Sequence, residues 1–146
     1  MDRTVLYRHS QAGPPAMWIL VCCWWIPVAL LSVANDPGRA PYLLGLFPVL
    51  TLIYVGFLRL TVTVDHDEVL LAYTFGWPRR RIDRGRIVSA VPDRIPWWYG
   101  WGIRRTPKGW MWNVWGRDAV LVSLADRGFL VGTDDPDGLA AALTLG

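Results

Sequence analysis

The sequence predicts an α+β membrane protein: a transmembrane helical hairpin followed by a bent β-sheet or small barrel that a C-terminal helix closes. Three observations predict it. Two uncharged stretches of 19 residues, 16–34 and 40–58, follow one another across a five-residue turn. Beyond Arg59, continuous apolarity gives way to alternation of period two, broken by turn residues at short, regular intervals. Near the end, an Asp-Pro pair opens a segment rich in alanine and leucine, as helices often begin.

Each uncharged stretch would reach about 28 Å as a helix, close to the ~30 Å hydrocarbon core of a bilayer. The linker Asn35-Asp36-Pro37-Gly38-Arg39 is so short that the two helices must run antiparallel, with both outer ends in one compartment. Pro27 and Pro48 would break helices in water but are tolerated in membrane spans. A pair of buried helices in a soluble protein is the bland alternative, disfavoured because such helices rarely stay uncharged for 18 residues. A signal peptide ending at Ser32-Val33-Ala34 is disfavoured by its long leader and by Trp24, Trp25 and Pro27 within its apolar part. Arg3, Arg8 and Arg59 outside the pair outweigh Arg39 in the turn, which places the termini and the C-terminal domain in the cytoplasm of a two-span protein of the plasma membrane. Residues 1–15 read as a polar tail, and the adjacent Cys22 and Cys23 as small apolar side chains with no disulfide framework around them.

In the second part, Leu60, Val62 and Val64 alternate with threonines, and Val69, Leu71, Tyr73 and Phe75 follow after the polar 65–68 turn. That is a β-hairpin. Further strands are expected at 79–82, 87–91, 101–104, 109–115, 119–124 and 128–132, and Leu139 and Leu143 mark the buried edge of the closing helix. The order of hairpin, sheet, Gly102-Ile103-Arg104 strand, Lys108-Gly109-Trp110 strand, 118–124 strand and Phe129-to-Pro136 entry into a helix resembles the bacterial PH-like domains of small membrane proteins. The resemblance covers roughly residues 58–144, and it implies a pleckstrin-homology superfold over 59–146 tethered by the helical pair. It carries no reaction and no ligand residues with it.

Chemistry is sparse. The length of 146 residues excludes two large independent cores, and the 53% apolar and 18% charged residues, the latter below the roughly 25% typical of soluble domains, reflect apolarity concentrated near the N-terminus. His9 and His66 have no second histidine or cysteine at ligand spacing, so neither a metal site nor a cofactor is expected. Asp65, Asp67 and Glu68 around His66 read as a solvated turn. Ser89 and Ser123 sit in strands without a nucleophile elbow, and Gly100-x-Gly102 lacks the rest of a phosphate loop. No catalytic set emerges, and the chain reads as non-enzymatic.

Charge is segregated instead. Residues 79–108 hold eight arginines and one lysine against two aspartates, a balance of +7, whereas 109–146 carries −3. Within the basic part lies Pro96-Trp97-Trp98-Tyr99-Gly100-Trp101, whose rings suit the headgroup zone of a bilayer. The expectation is a lipid-surface module: Trp97, Trp98, Tyr99 and Trp101 bed into the interface while Arg79, Arg80, Arg81, Arg104 and Arg105 meet phosphates, each contributing on the order of 1 kcal/mol. The plain reading leaves the rings on the sheet's own core and the arginines merely solvated. An assembly role, with a membrane protein or with copies of itself, is the alternative, and single-stranded nucleic acid is disfavoured by the modest net charge of +3.

Overall fold

The protein is described by a computed structural model over residues 5–35, 38 and 40–144. The chain begins with strand β1 (Val5–Ala12), runs into helices α1 (Pro15–Asn35) and α2 (Ala40–Gly56), and returns as strands β2 (Arg59–Asp65), β3 (Glu68–Tyr73) and β4 (Arg79–Asp83). Then come β5 (Ile87–Arg94), β6 (Gly102–Thr106), β7 (Gly109–Asn113), β8 (Asp118–Leu124), β9 (Gly128–Gly132) and helix α3 (Pro136–Thr144). The strands form two sheets, one in the order β1-β2-β3-β4 and the other β5-β8-β9-β7-β6. All neighbours are antiparallel except β7 and β9, which are parallel.

Alternation decides which faces meet. Leu60, Val62 and Val64 of β2 and Val69, Leu71 and Tyr73 of β3 turn to the inside, while Thr61 and Thr63 turn away. The second sheet answers with Trp112, Val120, Val122, Phe129 and Val131, and Leu139, Ala140 and Leu143 of α3 join the same core. Tyr73 and Trp112 stack across the gap with centroids 5.7 Å apart. At the start of α3 the Gly138 N–H donates to Asp135 Oδ1 at 3.1 Å, and the Asp135 N–H donates to Thr133 Oγ1 at 3.1 Å. A Cβ on Gly138 would press on the Asp135 carboxylate, so any other residue there requires the capping side chain to move.

Residues 5–12, expected within a polar tail, are an edge strand that pairs with β2 from Val5 opposite Asp65 to Ala12 opposite Arg59. Its inward positions are polar, which hid the alternation. The Tyr7 hydroxyl donates to Asp135 Oδ2 at 2.9 Å, His9 Nε2 lies 2.5 Å from Asp134 Oδ1, and Gln11 Nε2 donates to the Trp115 carbonyl at 2.8 Å. Burial, with Asp135 beside it, pushes the Tyr7 phenol well above its ordinary range. The two long helices are therefore an insertion inside a β-hairpin, closed at its root by the Gly13 N–H donating to the Leu58 carbonyl at 2.7 Å.

The helices fall on the two uncharged stretches, but among the described residues no helix is long and apolar enough to cross a membrane. The transmembrane hairpin over 16–34 and 40–58 is withdrawn. With it go the description as an integral membrane protein and the two-span placement in the plasma membrane with cytoplasmic termini and C-terminal domain. The shorter arm supplies a physical reason: α2 has 17 residues, about 26 Å at the helical rise, against a hydrocarbon core of ~30 Å. Phe57 and Leu58, expected in the second span, belong to the root, and a two-span pair needs both arms. Asp36, Pro37 and Arg39 of the expected turn, and Arg3 of the charge comparison, lie outside the described residues.

Candidate interaction surface

The loops at the root end of the sandwich gather on one another through a continuous set of contacts. Thr74, just after β3, accepts the Arg59 N–H on its Oγ1 at 3.1 Å and donates that hydroxyl to the Val55 carbonyl at 3.0 Å, so the β3–β4 turn is tied to the end of α2. The Tyr73 hydroxyl donates to the Asn113 carbonyl at 3.2 Å, and Gln11 reaches the Trp115 carbonyl, which brings in the β7–β8 loop. The Ile95 N–H donates to the Arg117 carbonyl at 2.6 Å, and Arg117 Nε donates back to the Ile95 carbonyl at 3.3 Å. That reciprocal pair anchors the start of the aromatic loop.

The loop then crosses the outer face of the second sheet. Ile95 is buried with Met111, Ala119 and Leu130, and the ring of Tyr99 packs on this small second core. A short 3-10 turn at Trp97–Tyr99, opened by Pro96 and left through Gly100 at φ +66°, carries the neighbouring rings the other way. Trp97, Trp98 and Trp101 are 74%, 65% and 50% exposed. Three of the four expected rings thus face outward, and Tyr99 is the one the sheet uses. Trp101 stacks on Trp115 at 4.7 Å between centroids. Ile95, Trp97, Trp101, Trp115 and Arg117 line a shallow cleft of about 230 Å³ there.

The five expected arginines do not form one patch. Arg79, Arg80 and Arg81 lie on β4 and Arg104 and Arg105 on β6, which are edge strands of different sheets. Arg79 is exposed beside the β3–β4 turn, where Phe75 and Trp77 are also exposed. Arg80 points the other way, its guanidinium 5.1 Å from the centre of the Phe129 ring. Burial, and then Arg127, lowers its pKa, and Arg80 is half-buried against the Phe129 ring. Arg81 pairs with Glu68 at 3.9 Å, toward the other end. Arg104 brings its guanidinium against Gly100, where an added Cβ would sit 3.5 Å away, so it borders the aromatic loop. Arg105 is exposed on β6, opposite Trp110.

Sequence reasoning missed part of this surface. Trp77 lies in the β3–β4 turn and Trp115 ends the 109–115 segment that reads as a strand, and neither lies beside the aromatic loop in the chain. Arg94, 4.0 Å from Asp118, and Arg117 reach the same end by strand pairing alone. At the opposite end His66, Asp67, Glu68 and Asp83 line a polar depression, and among the described residues no group of three or more His, Cys, Asp or Glu is placed to hold a metal ion. Set beside known proteins, the chain matches no family model, no curated protein and no solved structure, so the reading of this surface rests on its own geometry.

Proposed function

We propose that the chain is a non-enzymatic, PH-like module that binds an anionic lipid surface with the root end of its sandwich, and that it does so without a span. The observation that carries the reading is the outward set of indoles at Trp97, Trp98 and Trp101, next to Arg104 and at the same end of the second sheet as Arg94. Indoles favour the boundary between hydrocarbon and headgroup, and guanidinium groups pair with phosphate oxygens in a two-pronged geometry that lysine lacks. The PH-like reading is supported by two facing sheets closed by a C-terminal helix.

Arg104 takes the phosphate role here, and Arg79, on the edge strand of the other sheet, is not tied to the rings. Arg80, held over Phe129, and Arg81, paired with Glu68, are left out of it. The test is cosedimentation of the full chain with vesicles of anionic and of neutral lipid. A fragment starting at residue 59 would lack β1 and expose the edge of β2. Preferential binding to the anionic vesicles, weakened when Trp97 and Trp98 become alanine, is the expected result. Equal binding to both lipids, or binding indifferent to those rings, discards the reading.

A further inference from the structure

We infer that the hairpin of α1 and α2 is the interface with a second copy of this chain, the two hairpins packing side by side as a four-helix bundle between two sandwiches. The argument begins from area. The chain exposes 9276 Å², about 1,700 Å² more than the roughly 7,500 Å² expected for a compact chain of this mass. The hairpin carries apolar surface of this kind: Ile19, Ile26, Leu30, Leu46, Leu52 and Ile53 are each more than half exposed. Obligate homodimers bury about 2,000–5,000 Å² in total, half from each partner. The excess on one chain is thus about one protomer's share.

The chemistry of the face selects an apolar occupant. Trp25 Nε1 donates to Thr51 Oγ1 at 3.0 Å and the Tyr54 hydroxyl donates to the Met17 carbonyl at 3.3 Å, so these polar side chains are bonded within the hairpin. Apart from Tyr42 and Cys23, what the described residues of the hairpin turn outward is hydrocarbon and indole, the composition of a core cut in half. The same hairpin also carries a groove of about 300 Å³ lined by Leu20, Trp24, Phe47, Leu50 and Tyr54, beside the protruding Ile19, Ile26 and Ile53. A hollow and ridges on one element are what two-fold, self-complementary pairing requires. The root bonds from Gly13 and Thr74 hold only the base of the hairpin to the sandwich, leaving its length for another bundle arm.

This interface uses residues of α1 and α2 and none of the aromatic loop or its arginines, so different variants and readouts test it and the lipid reading. The experiment is sedimentation of the full chain in two mild detergents of different tail length, with the detergent density-matched. Two chains per particle in both, unchanged on tenfold dilution, is expected, and Leu46→Arg with Leu50→Arg should halve the protein mass while the near-UV circular dichroism of the sandwich persists. A second measurement needs no disruptive variant: a single spin label on the exposed Cys23, with Cys22→Ser, should report a defined distance between spins of two chains. One chain per particle, a particle holding one copy with a different protein, an arginine pair that leaves the mass unchanged, or no inter-chain spin distance each overturns the proposal.

Discussion

The two ends of the sandwich are made from the same strands and carry opposite chemistry. At the root end Trp77 is exposed in the turn tied to the base of the helical insertion, and Trp97, Trp98, Trp101 and Trp115 are exposed around the aromatic loop. At the other end the turns are charged and cross-linked: Arg86 bonds Asp126 at 3.2 Å and Arg127 bonds it at 2.6 Å, while the Arg84 N–H donates to the Asp67 carbonyl at 2.9 Å. Antiparallel strands send successive loops to alternate ends, so such polarity cannot come from the strands themselves. It has to be written into the loops at 76–78, 95–101 and 114–117 on one side, and at 65–68, 84–86 and 125–127 on the other. The lesson is that a near-neutral fold can still present one end suited to an interface and one suited to water.

The comparison can be broken most strongly by separating fold from surface. Phe129, buried between the sheets, should cost about 3–5 kcal/mol of stability as Phe129→Ala in urea unfolding, whereas the equally aromatic but exposed Trp98 should cost within about 0.5 kcal/mol as Trp98→Ala. A large loss from Trp98→Ala would mean that its ring serves the core. Next comes binding. Arg104→Gln should weaken cosedimentation with anionic vesicles about 5-fold at low salt, its guanidinium contributing about 1 kcal/mol, and the difference should shrink as salt is raised.

Alkaline titration probes how β1 is held. Burial raises both Tyr7 and Tyr73 above the ordinary phenol value of 10.0. Between that value and the raised one, the unfolded chain loses its phenolic protons first, so stability should fall as pH climbs above about 10. Tyr7→Phe should lower stability at neutral pH by about 1 kcal/mol through the lost bond to Asp135 and yet make the alkaline decline shallower. A decline unchanged by that variant would detach Tyr7 from it. The smallest effect is expected at the charged end, where Arg86→Gln should leave both the unfolding midpoint and vesicle binding unchanged, because its ion pair with Asp126 is exposed. Lost vesicle binding there would place the lipid contact at the wrong end.

Much of the sandwich was legible in the sequence, because alternation of large apolar residues marks a half-buried strand by itself. Each strand from β2 to β9 lies on a segment whose pattern announced it, and α3 begins at the proline that the Asp-Pro pair marked. β1 was not legible, since Tyr7, His9 and Gln11 turn inward toward partners at Asp134, Asp135 and Trp115, more than 100 residues away. The pair of helices was legible as helix, while its reading as a membrane span did not survive. Uncharged length reports how little a segment likes water; it does not report where the helix ends, and α2 stops at Gly56 because the chain must turn into β2.

The aromatic loop and the arginines divide the same way. That 96–101 is ring-rich and 79–108 is basic follows from the order of residues alone. Which rings face outward, and that Arg80 lies against Phe129 while Arg104 borders the loop, came only with the tertiary structure. The order of residues alone specified the strands from β2 to β9, the closing helix and the location of the apolar and basic segments, because these depend on neighbours a few residues away. Burial and charge pairing depend on which distant strands are brought together, and no local pattern encodes that.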